Sequence, residues 1–323
     1  MIRLLLLALT VHVSAFGHAA ESEPLQLQLQ WVPQAQFAGY YVAADQGWYE
    51  EAGLAVEILP HGAAISASRI LAERRADVAS MYVTQALGLW DQGHEVINIA
   101  QLIHATSLVL VSLAERGIET PEALDGQVLS RWPGFELQPE ALIRNFGIEP
   151  TVIDQGSTMT GLLSGAVDVA VATEFNEMHQ LYLSGVDADE LNVIRFSEHM
   201  PGFIEDGLYV HADVLAERRD ALTRFVEATL RGWRHAFAHP EMAIDAVMRR
   251  AEMASQSTNR AHQLRMLETL RTLYTDVEGE LLAPNLNAMD YEATGHVMYQ
   301  QGTLSRPAPA FSAFHDPLSW PGE

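Results

Sequence analysis

The stretch from Leu25 to Leu59 restricts what this chain can fold into more than any other. Leu25, Leu27 and Leu29 alternate with Gln26, Gln28 and Gln30, the period of a half-buried strand. Trp31-Val32-Pro33-Gln34 follows as a turn, and Pro33 ends the strand because it has no N–H to give to a ladder. Phe37, Tyr40, Tyr41 and Ala44 then fall at i, i+3, i+4 and i+7, one apolar stripe of a helix. Gly47 stands where a helix C-cap is expected, and Gly53 marks the turn before a second strand, Leu54–Leu59. Open α/β sheets hold their ligands beyond the carboxyl ends of their strands, and the Trp31 turn lies at such an end.

The remaining chain repeats this rhythm. Ser66–Arg74 reads as a helix, Ala76–Ala79 as a short buried strand, Thr84–Gln92 as a helix closed by Gly93, and Val96–Ile103 as an apolar strand. Thr106–Leu113, Val128–Arg131, Thr151–Asp154, Asp168–Ala172 and Leu191–Phe196 read as further strands, with helices at Pro139–Phe146 and Thr158–Leu163. The alternation predicts a mostly parallel sheet. The turn-rich segment from Met200 to Gly207 leads into the last clear strand, Leu208–His211, and reads as a return crossing between two lobes. Beyond it the chain reads as helical: Ala221–Phe237, a helix starting at Pro240, and a stripe of Leu264, Leu267, Leu270 and Tyr274. Pro307, Pro309, Pro317 and Pro321 predict an extended tail.

Composition excludes whole classes of function. The 323 residues suffice for sizeable cores, and 48% are hydrophobic. The net charge is −23, all 19 cations are Arg, and there is no Lys. Such a surface repels phosphate backbones, so no nucleic-acid partner is expected. The absence of Cys excludes disulfides, thiolate metal sites and cysteine nucleophiles. Arg3, the apolar run Leu4–Val13 and the small residues around Gly17-His18-Ala19-Ala20 read as a signal peptide over residues 1–20, which predicts export to a periplasm.

Most candidate site residues fall at or just past strand carboxyl ends: Trp31, Tyr82, Trp132, Phe135, Glu174, Asn176 and Glu177, with Gln36 after the first turn. Asp206 lies in the return crossing. A planar heterocycle needs aromatic faces and a few fixed polar groups at its edges. Trp31 and Trp132 supply walls on this reading, and Glu174 or Asp206 the polar anchor, since a carboxylate can accept from an exocyclic amine and a protonated ring nitrogen together. Tyr40 and Tyr41 belong to the helix stripe and read as core. His235 and His239 share a helix face but have no third ligand nearby, so no metal is expected. Gly156-Ser157-Thr158 reads as a plain N-cap, and Arg131 is the one local cation that could attract an anion.

The Trp-x-Pro turn, Phe37-Ala38-Gly39-Tyr40-Tyr41-Val42-Ala43 and the Gly47-x-Tyr49-x-x-x-Gly53-Leu54 spacing resemble the opening of the thiamine-pyrimidine group of solute-binding proteins. That group includes binding proteins of ABC importers and, on the same fold, the fungal thiamine-pyrimidine synthase. Arg131–Glu136 with Gln138–Leu142, Glu174–His179, Gly232-Trp233 and Asn259–Gln263 resemble later segments of the group in order and spacing, so the likeness covers most of the mature chain. It implies an α/β, two-lobe, type II-like periplasmic-binding-protein fold with a helical C-terminal region packed on the first lobe. The lobes are expected at residues 21–108 with 207–323, and at 109–206. The implied protein is a monomer that closes over a small heteroaromatic solute, a thiamine-pyrimidine precursor, and serves a permease and an ATPase at the inner membrane. A periplasmic sensing module for a membrane receptor is an alternative on the same fold.

The synthase is the enzymatic alternative. The resemblance implies pyridoxal phosphate on a lysine, a consumed histidine, iron and a cysteine-rich segment for that activity. Here Met81 stands at the lysine position, Gln85 at the histidine position, and Phe203–Gly207 has no Cys. A Schiff base needs a primary amine that no side chain here provides. The expectation is therefore a binding protein without cofactor.

Overall fold

The computed structural model describes residues 23–318 apart from Pro201. The expected signal peptide and Pro321 lie outside the described residues. Strands β1 (Leu25–Gln28), β2 (Val56–Ile58), β3 (Val78–Met81) and β4 (Val96–Gln101) come first. They are followed by β5 (Leu108–Leu113), β6 (Val128–Arg131), β7 (Thr151–Asp154), β8 (Val169–Thr173) and β9 (Leu191–Arg195), and then by β10 (Gly207–His211). They form two five-stranded sheets, ordered β2-β1-β3-β10-β4 and β7-β6-β8-β5-β9. This is an α/β fold of two lobes.

Both sheets are mixed rather than mostly parallel. β1 pairs in parallel with β2 and β3, and β6 with β7 and β8, as helical crossovers require. β10 runs antiparallel to β3 and β4, and β5 antiparallel to β8 and β9. Each antiparallel strand is the one by which the chain arrives from the other sheet. It reaches its place without a helical crossover, so nothing forces it to run with its neighbours.

β1 is more deeply buried than its alternation suggests. Gln28 and Gln30 are as enclosed as the leucines between them, because helices cover both faces of the sheet. The Gln28 amide donates to the Leu29 and Pro60 carbonyls, which satisfies it indoors. The helix Ala38–Asp45 buries Tyr40 and Tyr41 in the core, and Gly47 follows it with φ of 71°. The expected N-cap at Gly156-Ser157-Thr158 does not form: Met159 precedes the short helix Thr160–Leu163, and no side chain caps it.

The helices Ala212–Ala238, Pro240–Met253 and Arg260–Tyr274 pack on the first lobe around Trp233. Its indole lies against Tyr40, Phe237 and Tyr274, the last at 4.3 Å between centroids. The first of these helices starts nine residues before the expected Ala221 and bends at Arg218 (φ −122°). The tail also departs from the expected extended chain. Phe311–Phe314 makes a helical turn that buries Phe314 against Tyr209 and Tyr291, and His315 bridges to Asn98 on β4. An apolar anchor outweighs the proline-rich context there.

The two chain crossings between the lobes lie side by side. The N–H groups of Leu102 and Ile103 donate to the Asp206 carbonyl at 3.0 and 3.1 Å, and the Gln101 amide donates to the Glu205 carbonyl at 2.8 Å. The Ser107 N–H donates to the Glu205 carboxylate at 2.5 Å.

One contact admits no side chain. A Cβ at Gly232 would lie 2.1 Å from the Gly39 carbonyl, and a Cβ at Gly39 would lie 2.3 Å from the Trp233 ring. Gly232→Ala must therefore push apart the helices Ala38–Asp45 and Ala212–Ala238. We expect a loss of about 1–3 kcal/mol in denaturant unfolding, the range for overpacked cores. Gly88→Ala is the control, because a Cβ there meets nothing within 4 Å.

Candidate functional site

Between the lobes lies a narrow cleft. Gln30, Trp31, Gln34, Gln36 and Tyr82 line it from the first lobe, and Trp132, Phe135, Thr173, Phe175, Asn176 and Glu177 from the second. β1, β3, β6 and β8 all end at it, so their carboxyl ends converge as the fold rule requires. The rings meet edge to face: Trp31 lies 6.3 Å from Trp132 and 5.9 Å from Phe135, and Tyr82 lies 5.5 Å from Phe135. The lobes also touch around the rim. The Gln138 amide donates to the Thr84 hydroxyl at 3.2 Å, and His262 bonds the Asn176 side chain at 2.8 Å.

Trp31 is held in an unusual backbone conformation. Its φ of 61° is left-handed, which costs a side-chain-bearing residue about 1–2 kcal/mol. Part of what holds it is His61, whose Nδ1 lies 2.8 Å from the Trp31 carbonyl and whose Nε2 lies 2.9 Å from the Tyr41 hydroxyl. A carbonyl only accepts, so Nδ1 carries the proton and Nε2 receives the one on Tyr41. Burial keeps this ring neutral by lowering its pKa. Nothing in the local sequence marks His61 as the support of a wall.

The polar floor is a set of buried carboxyls. Glu177 accepts from Thr173 N–H and hydroxyl at 2.9 and 2.8 Å, and from Asn176 Nδ2 at 2.7 Å. Asn176 Nδ2 faces a carboxylate, so its Oδ1 faces His262 Nε2, which must donate. Asp206 accepts from Gln30 Nε2 on one oxygen and from Gln36 Nε2 on the other, the latter at 2.6 Å. Glu205 is fully buried and is held by Ser107 N–H, the Ser107 hydroxyl and, at 3.3 Å, the Thr106 hydroxyl. Burial pushes the Glu205 carboxyl up to about 8, with the neighbouring Asp206 charge adding to the rise. Burial pushes Asp206 up to about 7 against the two glutamine donors, and raises Glu177 as well.

Of the residues singled out in the sequence, Trp31, Gln36, Tyr82, Trp132, Phe135, Asn176 and Glu177 line the cleft. Glu174 does not. β8 runs one residue further than expected, to Thr173, and Glu174 turns to the other side, where its carboxylate pairs with Arg195 at 3.0 Å. Asp206 stands behind the lining and touches it through Gln30 and Gln36. Arg131 is not an anion anchor: its guanidinium is shared among Glu136, Glu140 and Asp154 at 3.4 to 3.8 Å. Gln30, Gln34, Thr173 and Phe175 line the cleft without having been singled out. Gln30 was legible only as one more polar partner in the leucine alternation. The His235 and His239 rings lie 4.2 Å apart, tilted by 44°, and no group of three metal-ligating residues occurs among the described residues.

The raised carboxyls make stability depend on pH with a definite sign. Folded Glu205 and Asp206 keep protons that the unfolded chain loses near pH 4. Stability must therefore fall as pH rises. Their contribution is complete below about pH 4 and is lost as pH passes about 7 and about 8. We expect the melting temperature to drop between pH 5 and pH 8.5, and Asp206→Asn to remove the part centred near 7. An unchanged slope in that variant would rule out Asp206 as its source.

Comparison with known proteins agrees with this architecture. The Escherichia coli periplasmic aliphatic sulphonate-binding protein SsuA superposes with a TM-score of 0.67 at 11% identity, over 94% of this chain and 95% of its own. A formylaminopyrimidine-binding protein of Halalkalibacterium halodurans is 23% identical over 72% of this chain and 72% of its own length. The riboflavin-binding protein RibY of Chloroflexus aurantiacus is also 23% identical, over 90% of this chain and 85% of its own. Residues 34–243 match the family described as NMT1/THI5 like. This chain, with its Trp31 turn, two-lobed α/β fold and interlobe cleft, belongs to the NMT1/THI5-like family.

Proposed function

We propose that this chain is the exported solute-binding protein of an ABC importer, and that its solute is an aminopyrimidine of the thiamine-precursor type. The observation that carries the reading is the lining of the cleft: aromatic walls from both lobes, side-chain amides, one carboxylate, and no cation among the described lining residues. A sulfonate or nitrate would bring its charge into this site with nothing to balance it. A planar amine-bearing ring finds faces in Trp31, Trp132 and Phe135 and acceptors in Glu177 and Gln30. The formylaminopyrimidine-binding relative supports the same ligand class.

On this reading the lobes divide at residues 21–108 with 207–323, and at 109–206, and they close by bending at the paired crossings. The monomer acts in the periplasm and hands its solute to a permease driven by an ATPase. A synthase reading lacks its chemistry. The chain has no lysine for a Schiff base, Met81 is buried in β3, and Gln85 is committed to the Tyr82 N–H at 3.0 Å.

A thermal-shift screen of the mature chain tests the proposal, with hydroxymethyl-, aminomethyl- and formylaminomethyl-pyrimidines, thiamine, riboflavin, taurine and nitrate. A ligand at about a hundred times its Kd adds ~2.7 kcal/mol. We expect this shift with a pyrimidine and its loss in Trp31→Ala. A shift with taurine or nitrate alone would overturn the ligand class and leave the importer reading standing.

A further inference from the structure

The glutamines on the first-lobe side of the cleft are not free to choose which end they present. Gln30 is 3% exposed, and its Oε1 is buried with no hydrogen-bond partner among the described residues. An ionised carboxylate only accepts, so Asp206 obliges Gln30 and Gln36 both to turn their nitrogens toward it. The Gln36 carbonyl, facing away, takes the Gln34 amide at 2.7 Å. The Gln30 carbonyl, facing away, takes nothing. Turning Gln30 over would set a carbonyl oxygen against a carboxylate in a dry interior, where like partial charges repel most strongly. On the opposite lobe, Trp132 Nε1 is a buried donor that also lacks a partner. Gln30 and Trp132 both line the cleft.

We propose that Asp206 is a positioning residue that dictates the solute's hydrogen-bond pattern through Gln30 without touching the solute. The edge seated against Gln30 must carry an N–H donor, and another edge must offer an acceptor to Trp132. Amino-substituted nitrogen heteroaromatics carry both. The sulfonate group and nitrate carry acceptors only. This inference rests on the reading of the cleft as the solute site, and it adds a selection rule to that reading.

Isothermal titration at pH 8, where Asp206 is ionised, tests it with 4-amino-5-hydroxymethyl-2-methylpyrimidine and the analogue lacking the 4-amino group. A site built around a hydrogen bond rejects the analogue that lacks it, so the wild type should prefer the amine on the order of 100-fold or more. In Asp206→Asn the new side-chain amide lets Gln30 turn over, and the preference should fall below about 10-fold. Gln30→Met should abolish it and serves if the first variant fails to fold. Full preference retained in either variant would overturn the proposal.

A second arm needs no ligand. The side-chain amide signal of Gln30, assigned by its loss in Gln30→Met, should show one slowly exchanging proton that Asp206→Asn releases. If no pyrimidine binds but this proton is held and then released, the positioning role stands and the pyrimidine assignment falls. If the proton exchanges freely in the wild type, the positioning role falls whatever the cleft binds.

Discussion

Two adjacent carboxyls buried in a chain crossing are the constraint on which this molecule turns. Removing an ionised carboxylate from water costs several kcal/mol even after relaxation, and Glu205 and Asp206 are consecutive. The structure meets that cost by surrounding each with donors from a different direction. Glu205 reaches to Thr106 and Ser107 and thereby ties the return crossing to the outgoing one. Asp206 reaches to Gln30 and Gln36 and thereby ties the same crossing to the first turn of the chain. A short peptide thus joins the paired crossings to the cleft, and neither can rearrange without leaving a buried carboxyl short of donors. The same pair makes the paired crossings and the polar floor respond together to protonation.

The two lobes meet this constraint with one plan used twice. In each sheet three parallel strands are followed by an antiparallel strand and an outer one. The strands whose carboxyl ends open on the cleft come from both halves, so each lobe contributes one aromatic wall and part of the polar edge. The C-terminal helices belong energetically to the first lobe, yet His262 and Gln263 reach the site. His262 bonds Asn176 on the second lobe, and the Gln263 side chain accepts from the Ala35 N–H at 2.6 Å. The long helical region is therefore also a brace across the mouth of the cleft.

Strand order within the chain, the return crossing and the aromatic walls were legible in the sequence, because each is written in periodicity or in a residue type just past a strand end. What was not legible follows from burial by distant parts of the chain. Gln30 continues a polar alternation that on an isolated strand would face solvent. It is enclosed because the return crossing at Asp206 and the walls of the cleft close around it. Glu174 read as a candidate anchor because β8 was expected to end at Ala172; one more residue of strand sends its side chain to the opposite face. Glu205 carried no local signal, since its partners are about a hundred residues away. The tail misled for the opposite reason: its prolines are visible in sequence, and the pocket that holds Phe314 is not.

The indole pair at the mouth has a consequence for how the molecule can be observed. Trp31 and Trp132 sit on opposite lobes, 6.3 Å apart and inclined by 62°. At that separation and angle the excited states of two indoles couple, and the coupling falls steeply with distance. Any opening of the lobes therefore changes the near-ultraviolet circular dichroism of the unlabelled chain. The protein carries its own optical gauge of cleft width, placed where a solute would enter.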